Sequence, residues 1–131
     1  MTIYPLADDD CYQPPPDHEC EEFQHHIDLA PGHRMGFRQV YRRGTSQMVY
    51  FAIWQAVRQD EEWHPVARID CSHGTVHRHQ FTQLGENHRI VLVEIPVERG
   101  REVVDRWYEP AEAMMQNDWV DNIRRWHGDQ E

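Results

Sequence analysis

Hydrophobic and polar residues alternate through the middle of the chain, a period-two pattern that predicts β-strands. Short turns rich in glycine or acidic residues separate the strand segments, which favours an antiparallel meander. The second segment, residues 47–58, is apolar on both sides, so we expect a central strand covered on both faces. The pattern predicts about five strands, at residues 35–43, 47–58, 63–71, 76–83 and 89–97.

After residue 100 the apolar spacing changes to three and four residues, which indicates helices. Val103, Val104 and Trp107 fit a first helical segment, Pro110 suits the first turn of a second, and Asp118 can cap the last. The sequence therefore predicts an α+β fold, an antiparallel sheet with C-terminal helices packed on one face. The stripe expected to cover that face comprises Met115, Trp119, Ile123 or Val120, and Trp126.

Charge is distributed unevenly along the chain. Residues 1–33 hold eight acids and no arginine or lysine, residues 34–106 have a net charge of +2, and residues 107–131 have −4. We expect residues 1–33, which include Pro14-Pro15-Pro16, to be a flexible acidic arm, and residues 34–131 to form a single α+β domain. The total of −10 argues against nucleic-acid binding by the whole surface. A local arginine-lined site is compatible with it.

Location is suggested by what the chain lacks. No segment has the apolar length of a membrane span, and the N-terminus lacks a signal-peptide pattern. The cysteines Cys11, Cys20 and Cys71 form no CxxC pair, which favours reduced thiols. We therefore expect a cytoplasmic protein that makes no membrane contact.

The chemistry-bearing residues cluster in one predicted hairpin, residues 68–79, whose tip is His73-Gly74. If the connecting loop has two or four residues, Asp70 stands opposite His77 and Arg68 opposite His79, all on one face. A three-residue loop would instead set Arg68 against Arg78, an unfavourable like-charge pair. The even register is therefore predicted.

Two imidazoles, a carboxylate and a guanidinium on one face suit cleavage of a phosphodiester without a metal or other cofactor. His77, oriented by Asp70, would act as general base or acid, and His73 would be the other proton carrier. Arg68 and Arg78 would bind the phosphate. The candidate catalytic residues are His77, Asp70, His73, Arg68 and His79, and the predicted partner is RNA.

Other interpretations stay open. His73, His77 and His79 could hold zinc or another divalent transition metal, with Asp70 as an alternative ligand. All these residues could instead be ordinary side chains on the solvent face of a sheet. A third hypothesis is a non-catalytic interaction module of phage or defence type that binds a partner protein. It could form a homodimer through a sheet edge at the strand Arg34–Arg43.

The run from Trp63 to Arg78 contains the pattern W-x-x-V-x-R-x-D-x-x-H-G-x-x-H-R. It resembles a family of small bacterial proteins of unknown function in which this pattern follows a long apolar strand and the chain ends in helices. The resemblance covers roughly residues 35–126 and implies no established activity. The hairpin is also loosely similar to the histidine-rich hairpin of some small toxins of toxin–antitoxin modules. That likeness implies a toxin or defence-related nuclease.

Overall fold

The structure, a computed structural model, describes residues 11–128. Six antiparallel strands pair in chain order, each with its sequence neighbours, and one long helix follows them. The α+β prediction is confirmed, with six strands where about five were predicted. A short 3-10 helix at Asp17–Glu19 precedes the sheet. The elements are β1 (Cys20–Ala30), β2 (His33–Arg42), β3 (Met48–Gln59), β4 (Glu62–Asp70), β5 (Thr75–Phe81), β6 (Asn87–Glu94) and α1 (Gly100–His127).

The helix α1 packs on one face of the sheet, chiefly against β3. Its buried positions recur at helical spacing and meet buried apolar residues such as Phe51 and Ile53 of β3. Polar contacts fix the docking: the Gln55 side chain donates to the Trp119 carbonyl at 2.9 Å. The buried residues of α1 are Gly100, Val104, Ala111, Met115, Asn122 and Trp126.

No α-helix or strand among residues 11–128 covers the opposite face of the sheet. The expectation that β3 is covered along both faces is therefore wrong for most of the strand; away from α1, Val49 is buried in a small second cluster with Cys20 and Val40. β3 is central because β2 and β4 flank it, and its Tyr50 and Trp54 side chains stay partly exposed. We call the face of the sheet away from α1 the open face. Its residues discussed below are Arg38, Trp54, Arg68, Asp70, His77, His79, Phe81 and Arg89.

The N-terminal part of the chain differs from the flexible arm expected for residues 1–33. Cys20–Ala30 form β1, and ahead of it the buried Tyr12 donates its hydroxyl hydrogen bond to the Val49 carbonyl at 2.8 Å. Residues 1–10 of the expected arm lie outside the described residues. β1 pairs only with β2 and exposes most of its side chains. Charged and polar side chains are common on an edge strand, and in β1 they outnumber the large apolar residues Phe23, Ile27 and Leu29, which is why the segment looked like an arm.

The C-terminal segment forms one continuous helix, and the prediction of several helices is wrong. Pro110 lies inside it instead of starting a second helix. A proline removes one backbone donor, a cost of about 3 kcal/mol in a helix interior. Burial of Val104 before it and of Ala111 and Met115 after it keeps both halves against the sheet.

The edges of the sheet are β1 and β6. The strand at residues 34–43 corresponds to β2, which pairs with β1 on one side and β3 on the other. Because its backbone groups already pair on both sides, the prediction that this strand is a sheet edge open to a second copy is wrong. Among residues 11–128 no helix combines the length and apolarity needed to cross a membrane.

Candidate functional site

The β4–β5 hairpin has the predicted even register. Asp70 pairs with His77 and Arg68 with His79, and a four-residue connection joins the two strands. At the tip His73 and Gly74 both have positive φ, 58° and 80°, as the two central residues of a type I′ turn require. Alternation along each strand then directs these four paired side chains to the open face.

A buried carboxylate–imidazole pair is the centre of the site. Asp70 Oδ1 lies 2.8 Å from His77 Nε2, and the two side chains are only 5% and 3% exposed. The Ser72 hydroxyl donates to the same oxygen at 2.9 Å, and Arg68 Nε donates to Oδ2 at 2.5 Å. Both carboxylate oxygens are therefore satisfied although the group is buried.

The hydrogen bonds determine the form of the His77 ring. Because an ionised Asp70 can only accept, His77 Nε2 carries the hydrogen, and Nδ1 accepts from the Thr75 hydroxyl at 3.0 Å. Burial lowers the pKa of His77, against the opposing effect of the Asp70 charge. Burial also raises the pKa of Asp70, but the Arg68 hydrogen bond and the neighbouring His77 outweigh it, and the net pKa is lowered. At neutral pH the pair is thus a carboxylate and a neutral imidazole.

His79 is the accessible imidazole of the group. Its ring centroid is 4.8 Å from that of His77, and its side chain is partly exposed. His79 Nδ1 lies 3.0 Å from Asn87 Oδ1, and because an amide oxygen accepts, Nδ1 is the donor. In the neutral ring the other nitrogen, Nε2, then carries the lone pair. An imidazole nitrogen in this state can take up a proton from a ligand on the open face.

Two arginines flank His79 in the sheet. His79 pairs with Arg68 of β4 on one side and with Arg89 of β6 on the other, so the three lie side by side on three adjacent strands. The Arg68 side chain is 41% exposed, and among residues 11–128 its terminal guanidinium nitrogens make no hydrogen bond within the chain. A terminal nitrogen of Arg89 reaches the Thr75 hydroxyl at 3.4 Å. Arginines at both neighbouring positions favour an anionic ligand on this part of the open face.

Two predicted site residues lie elsewhere. His73 is exposed at the hairpin tip, outside the Asp70–His77–His79 cluster. Arg78 faces α1, where it donates to Asp118 at 3.0 Å and to Asn122 at 2.8 Å. Its guanidinium joins the sheet to the helix and is turned away from the open face.

The metal hypothesis changes its ligands. Asp70, His77 and His79 each offer a ligand atom, and these atoms lie within 4.8 Å of one another. Two imidazoles and one carboxylate suit zinc or iron in the divalent state. Metal binding would require His77 to give up the Nε2 hydrogen that it now donates to Asp70. His73, one of the three ligands expected from sequence, is not in this cluster.

Sequence reasoning missed three residues of the open face: Trp54, Phe81 and Arg89. Arg89 stands opposite His79 because a five-residue connection joins β5 to β6, whereas the turn was placed at Gly85-Glu86-Asn87. The arginine-rich composition of the 34–106 segment was a signal, but without the register it could not single out Arg89. Trp54 was assigned to a covered face and so was read as core.

The site and fold together define a small α+β protein with a helix-backed antiparallel sheet and a histidine–aspartate–arginine cluster on its open face. The chain belongs to the family described as a domain of unknown function, DUF7718, whose model matches residues 19–128. No curated protein and no solved structure matches the chain. The expectation of an uncharacterised family is confirmed, and the likeness to toxins stays a prediction.

Proposed function

We propose that the open face binds RNA and cleaves its phosphodiester backbone, with His79 as the proton acceptor. The observation that carries this proposal is the row Arg68–His79–Arg89, in which two arginines occupy the cross-strand positions on either side of an accessible imidazole. His77, predicted from sequence as the base, is buried and uses both ring nitrogens in hydrogen bonds. The role of base therefore passes to His79.

In the proposed reaction, His79 Nε2 removes the proton of a ribose 2′-hydroxyl. The 2′-oxygen forms a bond to the adjacent phosphorus, the bond from phosphorus to the 5′-oxygen breaks, and solvent water protonates the departing oxygen. The products are a 2′,3′-cyclic phosphate and a 5′-hydroxyl. Arg68 and Arg89 stabilise the negative charge that develops on the phosphate oxygens.

Asp70 and His77 serve this reaction as positioning residues. Asp70 accepts the hydrogen bond from Arg68 Nε and so anchors the guanidinium on the open face, on the strand next to His79. His77 stays neutral next to His79 and so adds no competing positive charge within the ring pair. A cytoplasmic RNA-cleaving protein of this size would suit a toxin or a phage- or bacterial-defence nuclease.

The test compares wild-type protein with His79→Ala on a labelled single-stranded RNA in the presence of a chelator. We expect cleavage to 2′,3′-cyclic phosphate ends and a loss of about 100-fold or more in the variant, as for removal of a general base. His88→Ala is the matched control, since His88 is an exposed histidine of β6 paired with Glu86. No cleavage by the wild type, or equal rates in wild type and His79→Ala, would refute the proposal.

A second candidate function is supported by the close approach of the Asp70, His77 and His79 ligand atoms. In this proposal the three hold one divalent transition metal, which would supply Lewis-acid chemistry. Elemental analysis of tag-free protein after dialysis against zinc separates the two proposals. One metal per chain, lost in His77→Ala, together with cleavage abolished by a chelator, would replace the metal-free proposal.

A further inference from the structure

Trp54 belongs to the same cross-strand row as the proposed proton acceptor. Across five neighbouring strands the row runs Gly36, Trp54, Arg68, His79, Arg89. Strands lie about 4.8 Å apart, so Trp54 and His79 are separated by roughly 10 Å of sheet. In this row only Arg68 separates the aromatic residue Trp54 from His79, where the scissile phosphate is proposed to bind.

Gly36 gives the indole its position. A Cβ atom built on Gly36 would lie 2.2 Å from Trp54 Cε2 and 2.4 Å from its Nε1, so the ring occupies the space over the Gly36 backbone. Only glycine permits this close approach. The indole thus packs directly against the sheet backbone, and its side chain remains partly exposed.

A recess of about 330 Å³ opens beside this ring. Its floor includes the small side chain of Ala52, which pairs with Arg38 on one side and Asp70 on the other. The lining includes Arg38, Ala52, Trp54, Pro65, Arg68 and Phe81.

Phe81 connects the recess to the proposed catalytic residue. Its ring is nearly parallel to that of His79, with 13° between the planes and 5.8 Å between the centroids. Arg38 uses Nε and one terminal nitrogen in two 3.0 Å bonds to Glu22, whereas Arg68 bonds Asp70 through Nε and keeps its terminal nitrogens for a ligand. The recess thus combines two aromatic rings with one available guanidinium.

From this arrangement we infer that the recess holds one unpaired base of single-stranded RNA, stacked on Trp54 or Phe81, while the adjoining phosphate contacts Arg68. The inference rests on the proposed function and names its substrate class. Aromatic rings beside a cation are the combination that binds unpaired bases and their backbone. Bases inside a duplex are already stacked on their neighbours, so double-stranded RNA would not fill the recess.

The test uses a fluorescein-labelled 12-nucleotide 2′-O-methyl RNA, which has no 2′-hydroxyl to react and can be titrated with wild-type protein. We expect Trp54→Leu and Phe81→Leu each to raise the Kd measured by anisotropy about tenfold, the loss typical of one stacked base. Trp63→Leu is the matched control. Trp63 is 37% exposed and contacts Arg34 rather than the recess. A duplex of the same sequence should not compete.

A melting curve of each variant checks that it folds. If Trp54→Leu does not fold, Trp54→Phe replaces it. Because Trp54→Phe keeps an aromatic ring, it should lose less affinity than Phe81→Leu. Unchanged affinity in the Trp54 and Phe81 variants, or an equal loss in Trp63→Leu, would overturn the inference. If the Trp54 and Phe81 variants alone lose affinity but the wild type does not cleave RNA that has 2′-hydroxyls, the base-binding inference stands and the proposed function is refuted. Cleavage with the same KM in wild type and both recess variants would refute this inference alone.

Discussion

Replacing Asp70 by alanine tests the centre of the site directly. The change removes the acceptor of three side-chain hydrogen bonds and leaves the His77 Nε2 donor buried without a partner. A bond to a charged group contributes about 1.5–3 kcal/mol net when both partners are buried, as His77 and Asp70 are. Arg68 is 41% exposed, so solvent screening reduces its share to about 0.5 kcal/mol. We expect a total loss of about 3 kcal/mol.

Urea unfolding at pH 7 measures this loss. With a slope of about 2 kcal/mol per molar, the unfolding midpoint should fall by about 1.5 M. Asp28→Ala is the matched control, because Asp28 is also an aspartate beside an arginine on the sheet but is 73% exposed and 3.5 Å from Arg34. Its loss should stay below about 1 kcal/mol. If Asp70→Ala destabilises no more than Asp28→Ala, the buried network does not stabilise the fold as argued.

A double-mutant cycle with His77→Ala assigns the energy to the pair. If the Asp70–His77 bond carries most of the loss, the two single changes and the double change should show a coupling energy of about 1–3 kcal/mol. Additive losses would place the energy in the bonds from Arg68 and Ser72 to Asp70. The His77 contact would then be incidental to stability.

Three further changes have expected outcomes. The pKa of His77 is lowered in the folded chain, so the unfolded chain binds the proton more readily and the free energy of unfolding falls as the pH drops below 6.5. In urea unfolding between pH 7.5 and 5.5, His77→Gln should therefore lose less stability than the wild type. Gly36→Ala forces the Trp54 ring to move and should cost about 1–3 kcal/mol, most of which Trp54→Leu in the same chain should recover; an additive penalty in that double variant would contradict the close approach. Pro110→Ala restores a backbone donor inside α1 and should stabilise the protein by about 1–3 kcal/mol; a loss instead would mean that the proline ring makes packing contacts.

The sequence was sufficient for the hairpin register because a mismatch there carries a physical penalty. Only the even loop avoids setting Arg68 against Arg78, and the structure has that register. The same reasoning placed Asp70 against His77. It could not decide which histidine is buried, because the two share one face and alternation alone does not distinguish His77 from the partly exposed His79.

Other parts of the fold could not be obtained from pattern alone. β1 has only Phe23, Ile27 and Leu29 as large apolar residues at alternate positions, among charged and polar neighbours, so its period-two signal is weak. Pro110 marks a helix boundary locally, and only the packing of the residues around it shows that α1 continues. Both errors arise where tertiary contacts outweigh local preference.

The position of α1 at the end of a consecutive meander affects how the chain acquires its structure during synthesis. Every strand pairs with a sequence neighbour, so hairpins can form one after another as the chain emerges from the ribosome. The apolar side of β3, including Phe51 and Ile53, meets its cover only when residues 100–127 have been made. Until then the nascent sheet presents that surface to chaperones or to other chains. Premature termination before Met115 should therefore give an aggregating product.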